Sequence, residues 1–536
     1  MRSLLLPALL LTAAPAVADS IPADQVQRIV AEGTARSQVM PIAQHLTDVI
    51  GPRMTNSPSM RKAEAWTQDR FREWGLSNIH KEGFDFGRGW WIEQSSVRMV
   101  SPRPVQLTAI PIAWTPATKG PLTAPIVVAP MSKAEHFAAW RGKLQGKIVL
   151  VSKPGEVAEA DKPAFQRLSD EDLAKLDSFE EPTWSPEKQA QTMRRAGFEK
   201  ALTDFLAAEG ALAYVTRSRL DGKLVHGEGY QYQAGRTPAI PGVELAAEDY
   251  RRLARLAASG AAPTLEIDSD VRFDDSDPQA YNIIADIRGS DARAGYVMAG
   301  AHLDSWVAGD GAADNGAGSA MVMEAARILS AMGVRPRRTI RFALWAGEEQ
   351  ALLGSIAYLE QHLASRPKPA GPQSADEIYY SYATRFPITP LPGYKELAAY
   401  FNLDNGAGKI RGIYAENNLA AVPIFREWLA PFAPMGASTV AIQKTVGTDH
   451  QFMQAAGLPG FQFIQDPLDY ETRVHHTQLD TFDHLKGEDM RQGAIILAAF
   501  LLNAANAEQP LPRLPLPTQP AVTDPFAMPD ADADAD

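Results

Sequence analysis

The chain has 536 residues, 45% of them apolar and 22% charged, a composition that suits a globular protein of about two or three domains. A formal charge of −12 with no run of lysine or arginine excludes a general nucleic-acid binder. There is no cysteine, which excludes disulfides and leaves core packing or bound metal to supply stability.

In chain order, Met1-Arg2-Ser3 and the apolar run from Leu4 to Val17 read as a leader, with Ala16-Val17-Ala18 as an A-x-A-type cleavage site before Asp19. The run is too short to span a bilayer, so residues 1–18 are expected to be a signal peptide and the protein periplasmic or secreted. Residues 20–75 read as helical. Val26, Ile29 and Val30 share one face, and Ala63, Trp66, Phe71 and Trp74 form a second pattern beyond a turn at Ile50-Gly51-Pro52-Arg53. Residues 79–113 alternate in strand fashion around Trp90-Trp91 and Val97–Val100.

The texture changes near Pro102–Pro121, and from there to about Asp270 the chain reads as its own small β/α unit. Short apolar strands fall at 126–128, 147–151, 211–215 and 264–267, with helices at about 190–208 and 246–258. The acidic, proline-containing stretch Asp161–Lys188 reads as a surface excursion. No ligand cluster or nucleophile motif appears in this unit, which points to substrate gating or interaction.

After Tyr281–Ala285 the alternation becomes regular. Strands are expected at 296–301, 339–345, 398–403 and 461–465, and helices at 316–332, 350–364, 418–430 and 486–504. That pattern predicts an α/β fold, a mostly parallel central sheet with helices on both faces. The tail from Pro510 holds seven prolines and ends in alternating aspartate and alanine, so it is expected to be disordered.

Acids and histidines collect at the predicted strand ends. Gly300–Gly318 (GAHLDSWVAGDGAADNGAG) enters from a strand and leaves into a helix near Asn315, setting His302, Asp304 and Asp314 where open α/β sheets place ligands. The strand 339–345 ends in Ala346-Gly347-Glu348-Glu349. Adjacent carboxylates cannot point the same way, so one can bind metal while its neighbour faces the reaction centre. Strand 398–403 runs into Asp404, and His475-His476 follow the last strand. Singly these are a solvated loop or a helix N-terminus. Together they make His302, Asp314, Glu349, Asp404 and His476 candidate ligands of two ions bridged by a carboxylate.

This set resembles the zinc exopeptidase family of co-catalytic aminopeptidases and glutamate carboxypeptidases. The matching residues are His302–Trp306, Gly311–Gly316, Leu344–Gln350, Asn402-Leu403-Asp404 and His475–Thr481, together with Ile50–Arg53. The resemblance implies the zinc exopeptidase fold with an inserted, β-rich protease-associated domain. The expected division is then a signal peptide at 1–18, catalytic parts at 19–104 and 271–506, the insertion at 105–270 and a disordered tail at 507–536. It also implies two zinc ions per chain, with His302 and Asp404 on one, Glu349 and His476 on the other, and Asp314 bridging. Glu348 would be the general base and Asp304 would orient His302. Asp480 would support His476 or cap a helix. His475 lies where some relatives place an oxyanion-stabilising tyrosine, and His450 lies in a loop that lines the substrate site in relatives.

The activity implied is exopeptidase hydrolysis, of aminopeptidase or dipeptidase type, on short peptides with a free N-terminus. Neither nucleic acid nor a membrane span is expected, and a homodimer is implied by the resemblance alone. Among rivals, a serine hydrolase lacks its G-x-S-x-G, and a dinucleotide fingerprint lacks its third glycine after Gly309 and Gly311. A non-catalytic binding or receptor-like protein on the same scaffold is the alternative from another class, but all five ligand positions and Glu348 are occupied.

Overall fold

The computed structural model describes residues 20–157, 163–179 and 184–520. The leader therefore lies outside the described residues, as do parts of the acidic stretch and the end of the tail. Among the described residues no helix is long and apolar enough to cross a membrane.

The larger sheet has eight strands, and its centre is parallel. There Thr339–Trp345, Tyr296–His302, Leu397–Asn402 and Gly460–Gln465 lie side by side. These are the four strands expected in this half of the chain. Both flanks turn antiparallel: Gln279–Ile287 and Ser77–Asp85 on one side, Ile410–Tyr414 on the other. Alternation along the strands serves two helical layers. Val297, Ala299 and Ala301 face one layer, whose longest helix, Gly487–Asn506, is buried almost throughout. Tyr296 and Met298 face the other, which holds Leu359, Tyr382 and Phe452. The close approach of strand side chains explains Gly300: a Cβ there would meet Trp345 Nε1 at 2.6 Å and Tyr400 OH at 2.7 Å.

A second eight-stranded sheet is built from residues 89–274. Its spine is the long antiparallel pair Gly89–Ser101 and Thr264–Asp274. Helices Phe198–Ala208 and Ala247–Ala258 cover its two faces through Leu206 and Leu253. The strand Gly89–Ser101 thus joins the second sheet, although residues up to 104 were expected with the catalytic part. The proline-rich change of texture marks edge strands within the unit. The crossing itself is a short apolar step at Phe86 that no composition shift announces.

Two further expectations are corrected. The acidic stretch is not a mere surface excursion, because part of it straps the second unit to the larger one. Leu173 is buried against Ala441 and Ile464, Gln166 N–H donates to Leu468 O, and Arg167 pairs with Asp466 and Asp489 at 2.8 Å each. Nor is the start of the tail disordered. Leu511 is buried, its N–H donates to Ala398 O, and Arg513 donates to Tyr394 O and Leu397 O. Prolines cannot donate, but an extended segment still offers carbonyls, as Pro512 does to Asn418.

Candidate active site

Parallel strands end on the same edge, and this brings His302, the Glu348-Glu349 pair and Asp404 together. The loop after His302 is held from below by Arg53, fully buried, whose guanidinium donates to the carbonyls of Leu303, Asp310 and Gly311 at 2.7 Å each. Burial pushes the Arg53 pKa down to about 10, against the pull of nearby aspartates. The loop delivers Asp314 to the centre. His302 Nε2 lies 3.1 Å from Asp314 Oδ1 and 3.4 Å from Asp404 Oδ1. On the other side His476 Nε2 lies 3.0 Å from Asp314 Oδ2 and 3.2 Å from Glu349 Oε2.

These separations suit metal. Ligand atoms about 2.0–2.1 Å from a tetrahedral zinc are about 3.3 Å from one another. Three of the converging atoms, His302 Nε2, Asp314 Oδ2 and Asp404 Oδ1, and the other oxygen of Glu349, Oε1, are buried without a well-formed hydrogen bond. Buried acceptors left facing each other are costly unless a cation lies between them.

The imidazoles are turned for that role. His302 Nδ1 faces the Asp304 carbonyl at 2.9 Å, and His476 Nδ1 faces Glu228 Oε1 at 2.5 Å. Each acceptor keeps the proton on Nδ1 and leaves the Nε2 lone pair directed inward. The expected roles change here. Asp304 reaches His302 by its carbonyl, its carboxylate being 3.8 Å away; that carboxylate instead accepts from the Glu348 and Glu349 N–H groups and from Thr55. Asp480 accepts from Ala313 N–H and Asp314 N–H, beside the central aspartate, and it is Glu228 that meets His476 Nδ1.

Electrostatics divide the acids. Burial raises Asp314, but the His302 and His476 imidazoles set against its two oxygens outweigh it and hold this carboxyl well below the usual range. Burial pushes Glu349 up to about 7 and Glu348 well above its ordinary value, with Asp404 and Asp449 adding repulsion at Glu348. Burial also lifts Asp449 and Asp480 to about 8. The excess of acid over base here is what divalent cations offset.

A cavity of about 540 Å³ opens beside these groups, lined by Glu348, His475, Tyr230 and Asp376 among others. His475 stacks on His476 at 3.7 Å, and its Nε2 is 3.6 Å from Asp314 Oδ2. Burial and the neighbouring His476 depress its pKa to about 3, so it faces the cavity as a neutral imidazole. His450 is corrected: it does not line the cavity. It is fully buried beneath the 446–448 loop, with Nε2 at 2.9 Å from Thr445 Oγ1 and 3.2 Å from Glu416 Oε1. Glu228 and Tyr230 were missed altogether. Nothing around His226-Gly227-Glu228-Gly229-Tyr230 has ligand spacing, and only the docking of the second unit brings them here.

Compared with known proteins, residues 282–501 match the model of peptidase family M28, a span that holds His302 through His476 and leaves out Glu228. Carboxypeptidase Q of Mus musculus is 26% identical over 472 residues, 87% of this chain and 86% of the mouse protein. Among solved structures, a peptidase M28 precursor from Shewanella amazonensis SB2B aligns with a TM-score of 0.65 at 24% identity, over 92% of this chain and 98% of that one. A zinc aminopeptidase from Bacillus subtilis aligns with a TM-score of 0.56 at 19% identity, over 88% and 95%. The structural matches concern the mixed α/β fold. The sequence matches make the chain a metallopeptidase, a hydrolase, similar to family M28 over residues 282–501.

Proposed function

We propose that this metallopeptidase is an exported two-zinc exopeptidase acting on short peptides from their free N-terminus, as an aminopeptidase or dipeptidase. The observation that carries this reading is Asp314, whose two oxygens face two separate histidine–carboxylate pairs. His302 and Asp404 would hold one ion, Glu349 and His476 the other. Zinc held there supplies Lewis acidity, bringing water's pKa toward neutrality and polarising a carbonyl.

The chain's own groups do the rest. Glu348 lines the cavity with its Oε2 3.9 Å from His302 Nε2, and the proposed ligand set leaves it free. Raised above its ordinary value by burial, it accepts the attacking water's proton and returns it to the leaving amine. His475, neutral at the cavity wall, offers a donor to the developing oxyanion. Asp376 and Glu471 line the cavity, and no lysine or arginine does among its described lining residues. That wall attracts an ammonium group and repels a substrate carboxylate.

We take residues 89–274 to be the protease-associated insertion. Export rests on the leader, and a homodimer on the family resemblance, which light scattering reads directly. The deciding experiment is a panel of dipeptides, aminoacyl amides and N-acetylated dipeptides with added zinc. Turnover of amides but not of N-acetylated substrates is expected. Preference for N-blocked peptides with a free carboxylate would reverse the polarity proposed.

A further inference from the structure

The loop 218–232 belongs to the second unit, yet it grips the turn that carries His476. Arg219 Nη2 lies 3.2 Å from Glu228 Oε1 and 3.4 Å from the His475 carbonyl. Val225 N–H donates to Gln478 Oε1, and Gln478 Nε2 donates back to Lys223 O, both at 2.9 Å. At the centre Glu228 Oε1 is 2.5 Å from His476 Nδ1, with Tyr230 OH at 3.4 Å from the same nitrogen.

His476 needs such help. It lies on a turn after Val474 with φ +62°, in the left-handed region, so neither strand nor helix aims its ring. His302 is the opposite case, the last residue of a central strand with an acceptor two residues further on. A carboxylate at the distal nitrogen of a ligating histidine fixes its tautomer, aims the ring and raises its basicity. Glu228 is also partnered for that work, because Arg219 pairs with the same Oε1 and offsets its charge.

We propose that Glu228 is a positioning residue for His476, so that the metal position on the His476 side is completed across two structural units while the His302 side is not. This rests on the two-zinc reading above. The dependence is long-range: Glu228 is separated from His476 by 248 positions.

The test uses the full chain stripped with a chelator and titrated with cobalt(II), read by its visible spectrum, then with zinc against a chromophoric chelator. The unaltered protein should take up two ions. Glu228→Ala should keep one at unchanged affinity and weaken the other about 10–100-fold. Glu228→Gln keeps an acceptor oxygen but no charge, and should lie between the two. Gln478→Ala removes neighbouring contacts between the units without touching Glu228, and should leave both affinities within about twofold of the starting value. Two ions bound at unchanged affinity by both Glu228 variants would overturn the proposal. So would an equal loss in Gln478→Ala and Glu228→Ala, which would assign the effect to docking of the unit as a whole. If the unaltered protein takes up fewer than two ions, the two-zinc reading itself falls, and this proposal with it.

Discussion

The two histidines of the site are held in opposite ways. His302 ends a central strand, is fully buried, and directs its Nδ1 to a carbonyl in its own loop. His476 sits on an irregular turn and meets a carboxylate from the second unit, 248 positions away in sequence. One side of the site is a product of strand geometry, and the other is an assembly of distant parts. A ligand on regular structure is positioned by its backbone. One on a turn must be positioned by what packs against it.

Asp314→Ala breaks both sides at once, since its two oxygens face both histidines. Loss of both ions and activity at background are expected, and metal analysis after gel filtration checks it. Two tightly held ions would remove Asp314 from the centre. Glu348→Gln spares both sides: both ions should stay, while kcat falls about 10²–10⁴-fold on a dipeptide. Its neighbour separates the roles, because Glu349→Gln should lose metal on the His476 side. Exchange of those two outcomes would exchange the roles of the two glutamates.

Arg53→Ala attacks the loop that leads from His302 to Asp314. It strands the carbonyls of Leu303, Asp310 and Gly311, at a cost of about 3 kcal/mol in urea unfolding of the metal-free protein. A loss under about 1 kcal/mol would show that water replaces the guanidinium. The smallest effect belongs to the assembled side. Leu173→Ala loosens the strap and should cost about 2 kcal/mol, the low end for a buried leucine near the surface. Cobalt titration should then show the His302 position unchanged. A change confined to that position would contradict the contrast.

The same contrast explains what could be read from the sequence. Strands at 296–302, 339–345, 397–402 and 460–465 fall within a residue of expectation, because apolar runs bounded by polar strand ends are local signals. Three of the ligand candidates, His302, Glu349 and Asp404, converge for the same reason, lying at or just past strand ends, while Asp314 and His476 arrive on the loops that follow. Glu228 was illegible, since a lone glutamate in a glycine-containing loop carries no period and no spacing. Asp480 was expected to support His476 or cap a helix, whereas its carboxylate reaches backbone N–H groups 166 and 167 positions away. His450 was read from its loop, and burial beneath that loop is invisible to pattern. The tail misled through composition, because proline-rich sequence also suits an extended segment anchored by Leu511 and Arg513.

The short apolar step at Phe86 has a counterpart where the chain returns. Phe86 N–H and Gly87 N–H both donate to Pro278 O, and the strand residues on either side, Asp85 and Gln279, are direct partners in the larger sheet. The second unit therefore stands where a hairpin would have its turn. Antiparallel neighbours can be joined by two residues, so the pairing of these two strands asks of the unit only that its two ends lie side by side. A segment exchanged here that meets this demand is expected to keep the register of Asp85 against Gln279. Each such exchange would rebuild the wall of the cavity and the partner of His476 while leaving His302 as it stands.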